Sequence, residues 1–216
     1  MSDIRFRLAK PSDAKALANC HWHVRDRYSQ GIFLSLGKPF LRSYYKVILN
    51  DPNEVVVCAE HVNKGIVGFC NATLDAKAQA NTLKQHKVRL GLSALWAIMC
   101  KPSLIKAVWQ RYRSLASDSD SPSFVHTEGL RGEYWCWMKE VGNTFLSVDL
   151  NQSMKNVVYD LGYKEMYSEV DKFNKHVYKY FTMKKNIEVV EEITLPDGRE
   201  RALLLEHLEH KDINIG

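Results

Sequence analysis

The stretch Gly132-Glu133-Tyr134-Trp135-Cys136-Trp137, the loop Gly142-Asn143-Thr144-Phe145-Leu146-Ser147 and the run on to Lys185 decide the fold. The aromatic run from Glu133 to Trp137 reads as a strand. Leu150, Met154, Val157, Val158 and Leu161 then recur at helical spacing, and Gly162 stops the pattern. Met166 to Val170 reads as a second strand. Asp171-Lys172-Phe173-Asn174 opens a second helix through Val177, Tyr180 and Phe181. The order is strand, loop, helix, strand, helix. A strand-to-helix junction collects backbone N–H groups and the positive end of a helix dipole, so it is a natural seat for an anion.

Upstream, Ile4, Phe6 and Leu8 alternate with Arg5 and Arg7, the pattern of a strand with one buried face. Pro11-Ser12-Asp13 predicts a helix start with Ser12 as N-cap, and Leu17, Cys20, Val24 and Tyr28 mark its buried side up to Gly31. A second helix is expected over Lys38 to Leu49. Val55 to Ala59 and Ile66 to Cys70, joined by Asn63-Lys64-Gly65, predict an antiparallel hairpin. Gly68 inside its second strand implies a bulge or a close backbone approach. Beyond the central stretch, Ile187–Leu195 and Arg199–Leu208 flank Pro196-Asp197-Gly198, a second hairpin. A single strand is expected over Phe124 to Met138.

Residues 77–123 read as a helical insertion and linker. Lys84, Lys87 and Arg89 precede an apolar helix from Leu90 to Met99. Pro102 starts a second helix that carries Val108, Trp109, Arg111 and Arg113. Packing against its own domain is the ordinary outcome for such helices. A lid, a homodimer contact and a membrane contact through 90–109 are the alternatives.

The 216 residues suit a single domain over 1–210 with a polar tail over 211–216. Hydrophobic content of 45% with 25% charged residues is that of a water-soluble globular chain. A net charge of +5 accommodates an anionic ligand without calling for nucleic acid. Five cysteines without a C-x-x-C pair, and no apolar leader or spanning run, point to reduced thiols and a cytoplasmic setting. His21 and His23 do not share a helix face, and no ligand cluster completes a metal site, so no metal is expected.

The order β, α, α, β, β, inserted helices, β, α, β, α, β, β resembles the GNAT superfamily, the Gcn5-related N-acetyltransferases. Four pieces carry the resemblance: Arg7-x3-Pro11-x-Asp13-Ala14, Ile66-Val67-Gly68-Phe69, Val170-x3-Asn174-x2-Val177 and the closing Pro-Asp-Gly hairpin. It covers residues 4–76 and 128–208. It implies an α+β fold with a mostly antiparallel mixed sheet, splayed between strands 4 and 5, and a helical insertion after strand 3. It also implies acetyl-CoA or another acyl-CoA as co-substrate and transfer of the acyl group directly to the amine of a small molecule. The same fold as a non-catalytic ligand-binding or regulatory protein, and an acyl carrier protein as donor, stay open.

The resemblance further assigns candidate residues. The coenzyme arm and the oxyanion donor fall on the fourth strand near Trp137 and Met138. The pyrophosphate loop falls on residues 142–147, with Asn143, Thr144 and Ser147 as contacts and Ser147 as helix cap. There the family favours a glycine where this chain has Phe145, and Asp149 is expected in the first helical turn. Asn174 either contacts the coenzyme or caps its helix. Glu133, among aromatics, is the candidate base, its ordinary role being a salt bridge. The family's tyrosine acid falls on Phe181, which cannot donate a proton, so its neighbour Tyr180 is the candidate acid. Tyr28, Gln30, Phe33, Tyr44 and Tyr45 are placed toward the acceptor.

Overall fold

The computed structural model describes residues 3–27, 32–105, 126–194 and 198–213. Among the described residues seven strands form one sheet in the order β1-β2-β3-β4-β5-β7-β6. They are β1 (Ile4–Leu8), β2 (Glu54–His61), β3 (Gly65–Thr73), β4 (Arg131–Trp137), β5 (Glu165–Asp171), β6 (Ile187–Thr194) and β7 (Glu200–His207). Every neighbouring pair is antiparallel except β4 and β5, which run parallel. The expected mixed, mostly antiparallel sheet is therefore the observed one.

The helices are α1 (Ala14–His23), α2 (Ile32–Ser35), α3 (Gly37–Ile48), α4 (Ala76–Gln85), α5 (Lys87–Cys100), α6 (Thr144–Asp160) and α7 (Lys175–Thr182). Alternation along the strands sorts side chains onto two faces. Val56, Cys58, Phe69 and Cys136 pack with Leu17, Cys20, Leu41, Tyr45 and Ala97 beneath α1, α3 and α5. Val55, Val57, Val67, Cys70 and Trp137 pack with Leu150, Met154 and Val158 of α6 on the other face. On that same face Phe181 of α7 packs on Val170, Ala202 and Leu204.

Several local expectations change. Ser12 caps nothing: Pro11–Asp13 is a 3-10 turn, and Asp13 turns back to accept from the Lys10 N–H at 2.8 Å and from Arg7 Nη1 at 2.6 Å. The carboxylate wins because it satisfies an amide and a guanidinium together. The strand expected from Phe124 starts only at Arg131, with Gly129 at φ +63° just before it. The insertion begins with a helix that sequence reading overlooked, α4, capped by Asp75 through the N–H groups of Lys77 and Ala78. Pro102 does open a turn, over Pro102–Leu104. The helix expected beyond Ile105, the tip of the Pro-Asp-Gly turn, Tyr28 and Gln30 lie outside the described residues.

Gly68 meets both halves of its expectation. The β2–β3 register shifts between Ala59 and Glu60 opposite it, and a Cβ at Gly68 would stand 2.5 Å from Cε3 of Trp137. The hairpin and β4 thus approach where no side chain fits.

Candidate active site

The site is made by a defect in β4. Cys70 pairs with Trp135 and Ala72 with Gly132, so Asn71 stands opposite two residues, Glu133 and Tyr134. Such a bulge bends the strand that carries the extra residue. Asn71 fills the bulge: its Oδ1 accepts from the Tyr134 N–H at 3.2 Å, and its Nδ2 donates to Glu133 Oε2 at 2.9 Å. Pairing with β5 covers only Arg131–Tyr167 and Gly132–Ser168, while β5 stays paired with β7 as far as Asp171. Past Gly132 the two parallel strands diverge. A Cβ at Gly132 would lie 2.8 Å from Ser168 Oγ and 3.3 Å from the Met166 thioether, so a larger residue at the last contact before the gap would push those side chains aside.

Register decides which β4 groups look into the gap. Met138 N–H donates to Val67 C=O at 2.9 Å, which makes Trp137–Gly68 a non-hydrogen-bonded pair. Cys136 then bonds toward β3, and the backbone groups of Trp135 and Trp137 turn toward β5. Of the two residues expected to offer an N–H, Met138 spends its own on β3. The backbone of Trp137 turns toward β5 by the same register.

Two walls close the gap. Trp135 reaches from β4 to α6, where its Nε1 donates to Ser147 Oγ at 2.9 Å and Ser147 C=O at 3.0 Å. Its ring lies 5.4 Å from Tyr180 and 6.1 Å from Phe181. Ser147 is thus no cap but the fourth residue of α6, buried under the indole. Positive φ falls on Gly142 (73°) and Asn143 (37°), and the helix begins at Thr144. Phe145 sits on helical backbone with its ring 82% exposed, so it turns away from the junction instead of filling it. Asp149 is in the second turn, not the first, because α6 starts earlier than its apolar pattern does.

Ser147, Asn151 and Lys155 form a polar stripe at i, i+4 and i+8 on the buried side of α6. Lys155 Nζ lies 2.7 and 2.6 Å from the two Glu206 oxygens and 5.4 Å from the Phe181 ring. Burial pulls the Lys155 ammonium below the ordinary lysine value in spite of Glu206. Asn151 donates to Cys70 Sγ at 3.8 Å, and its buried Oδ1 has no hydrogen-bond partner among the described residues. Tyr180 is half-buried beside this group, and burial raises its hydroxyl above the ordinary tyrosine value.

Under the opposite face Glu133 belongs to a buried polar chain. Arg131 Nη2 pairs with Glu133 Oε1 at 2.7 Å and donates to Gln79 Oε1 at 2.9 Å, and Gln79 Nε2 donates to Glu54 Oε1 at 2.6 Å. Burial, with the Glu133 charge next, pushes the Glu54 carboxyl well above the ordinary range. Tyr44 and Tyr134 stand beside it, 6.4 Å apart. Tyr45 is fully buried with its hydroxyl 2.6 Å from His21 Nδ1, so it is core and not an acceptor-facing surface. Phe33 falls within α2. Asn174 caps α7, accepting from the Val177 N–H at 3.5 Å.

Sequence reading missed Asn71, Arg131, Lys155 and Glu206. The polar stripe Ser147, Asn151 and Lys155 on the buried side of α6 was the one available signal. Among the described residues no group of His, Cys, Asp or Glu gathers as a metal site, and no helix is long and apolar enough to cross a membrane.

No protein-family model and no curated protein matches the sequence. The fold has many counterparts among solved structures. A Gcn5-related N-acetyltransferase from Kribbella flavida superposes with a TM-score of 0.56 at 10% identity, over 95% of this chain and 98% of that one. YncA of Salmonella typhimurium, solved with acetyl-CoA, gives 0.54 at 10% identity, over 99% of both chains. The PaiA N-acetyltransferase of Thermoplasma acidophilum, in complex with coenzyme A, gives 0.54 at 10% identity, over 96% and 99%. The chain has the GNAT acyltransferase fold.

Proposed function

We propose that the protein is an acyl-CoA-dependent N-acyltransferase that moves an acetyl or other acyl group directly to the amine of a small molecule. The observation that carries the reading is the gap between β4 and β5, opened by the Glu133–Tyr134 bulge and lined by the backbone of Trp135 and Trp137. Two structural counterparts were solved with acetyl-CoA and coenzyme A.

In this reading the coenzyme enters where α6 leaves β4. Asn143 and Thr144 stand at the positive end of a 17-residue helix, which suits a pyrophosphate, while the Gly142 N–H is spent on the Lys139 carbonyl at 2.9 Å. The peptide-like arm lies along β4, where backbone groups of Trp135 and Trp137 match its amides, and Asn151 Oδ1 supplies a further buried acceptor.

The thioester is already activated, so the chain has three tasks: to hold the oxyanion, accept the amine's proton and return a proton to the thiolate. The gap-facing N–H of Trp137 serves the first. Glu133 serves the second from the bulge, held by Arg131 and Asn71. Tyr180 serves the third: it is the hydroxyl beside Trp135, 5.4 Å between rings, and it is protonated at neutral pH, although burial makes it a weaker acid than a free tyrosine. The amine attacks the thioester carbonyl, the tetrahedral intermediate expels the thiolate, and the released coenzyme thiol carries the proton Tyr180 gives up.

The test is release of free coenzyme thiol from acetyl-CoA across a panel of small amines, each with Tyr180→Phe as comparison. Amine-dependent thiol release supports transfer. Tight acetyl-CoA binding with no release for any amine turns the reading to a coenzyme-binding protein without catalysis.

A further inference from the structure

α5 is apolar on two opposite sides. At about 100° per residue, Leu90, Ala94 and Ala97 fall on one side, and they pack into the core beneath α3. Val88, Leu92, Leu95, Trp96 and Met99 fall on the other and are exposed, Leu92 by 65%, Met99 by 60% and Trp96 by 58%. Packing against the domain therefore uses half of the helix and leaves a continuous apolar face outward. Lys87 and Arg89, both exposed, border that face on its two edges, and Lys84 and Lys101 stand near its ends. The surrounding sequence is one-signed: eight lysines and arginines, and no aspartate or glutamate, stand between Asp75 and Asp118.

We propose that the outer face of α5 seats the protein on an anionic lipid surface. Apolar side chains with a tryptophan on one face, and lysine and arginine along its edges, are what a helix lying in the headgroup layer requires. The absence of acidic residues removes the repulsion a negative surface would otherwise exert. A second copy of this chain fits less well, because self-association brings two basic segments of the same sign together. The docking is peripheral, and it is independent of acyl-CoA binding because the face lies on the insertion, away from the β4–β5 gap.

The test is flotation of the full chain with vesicles of phosphatidylcholine alone and of phosphatidylcholine mixed with phosphatidylglycerol, at low and high salt. The expected result is flotation with the mixed vesicles only, weakened by salt. Leu92→Glu with Trp96→Glu abolishes it. Lys87→Gln and Arg89→Gln each weaken it roughly fivefold and keep the test informative if the double glutamate variant folds poorly. Failure to float with anionic vesicles overturns the proposal, as does equal flotation of wild type and variants. A dimer lost in Leu92→Glu/Trp96→Glu without any flotation, or capture of an acidic acyl carrier protein without any flotation, also overturns it. The first assigns the face to a seam between copies and the second to a protein donor. Acetyl-CoA affinity measured alongside is unchanged in these variants, so failure here is distinct from failure of the catalytic reading.

Discussion

Trp135 on β4 and Ser147 on α6 are joined by one donor shared between two acceptors, the serine hydroxyl at 2.9 Å and the serine carbonyl at 3.0 Å. The contact ties the strand to the start of the helix across the mouth of the gap. It fixes the angle at which α6 leaves β4, and so the position of the amides at Asn143 and Thr144. Replacing Trp135 by Phe removes both hydrogen bonds and leaves a buried hydroxyl to find a new partner. A loss of about 1–2 kcal/mol in denaturant unfolding is expected, with weaker acetyl-CoA binding. Ser147→Ala keeps the carbonyl acceptor and costs less than Trp135→Phe in both measurements.

Gly68 and Trp137 make a second prediction. A methyl group at Gly68 would meet Trp137 Cε3 at 2.5 Å and Cys136 O at 3.0 Å. Gly68→Ala is expected to destabilise by about 1–3 kcal/mol, the usual cost of forcing a methyl into a filled space. Since Trp137 moves with β4, affinity for acyl-CoA falls as well. Gly65→Ala, where a Cβ meets nothing within 4 Å but φ is +69°, carries the backbone penalty without any change in affinity.

His21 gives the pH dependence of stability. Burial pulls its imidazole down to about 3 from the ordinary 6.5, so the folded ring stays neutral as pH falls until that value is approached. The unfolded chain binds a proton below 6.5 that the folded chain refuses until about 3. Stability therefore falls as pH drops through that window, by about 1.4 kcal/mol per pH unit for one proton. Denaturant unfolding of wild type and His21→Phe across the window should differ in slope by that amount, whatever the offset caused by orphaning the Tyr45 hydroxyl. Parallel slopes would contradict the buried neutral ring.

Tyr180 and Phe181 divide the work of α7. Phe181 is buried on Ala202 and Leu204, while Tyr180 keeps part of its ring exposed beside Trp135. Tyr180→Phe is expected to lower kcat by about a hundredfold with KM for acetyl-CoA and thermal midpoint little changed. Phe181→Ala should instead cost about 3–5 kcal/mol of stability. A kcat unaltered in Tyr180→Phe would remove the tyrosine from the proton path.

The buried Lys155–Glu206 pair lies at the junction of α6 and β7. Glu206→Gln leaves an ammonium buried without its counter-charge and is expected to destabilise by about 3–5 kcal/mol. Lys155→Met combined with Glu206→Leu should recover most of that loss, because the desolvation cost disappears with both charges. Equal destabilisation by the single and double variants would mean the pair is not an energetic unit.

What the sequence made legible follows from locality. Strand alternation in Ile4 to Leu8, the Asn-Lys-Gly turn and the helical spacing from Leu150 to Leu161 depend on neighbours in the chain, and each element stands where those patterns place it. Helix starts were less readable: Thr144 begins α6 six residues before its apolar pattern, because Thr144 and Phe145 are exposed and the buried residue of the first turn, Ser147, is polar. The site was least readable. Asn71 meets Glu133 across 62 residues and Lys155 meets Glu206 across 51, pairings that only the sheet order creates. The β4 bulge likewise has no signature in residues 133 and 134 themselves. Phe145 illustrates the converse. Its identity argued against a phosphate-binding loop, yet its direction, outward from helical backbone, removes the steric part of that objection.

The measurement that bears most directly on the central claim is calorimetric titration of the purified protein with acetyl-CoA and, separately, with desulfo-CoA. A gap that accepts the coenzyme along β4 predicts binding of both at about micromolar dissociation constants, weakened in Gly68→Ala. Absence of heat at millimolar concentrations of either ligand would contradict acyl-CoA as the donor and with it the proposed reaction.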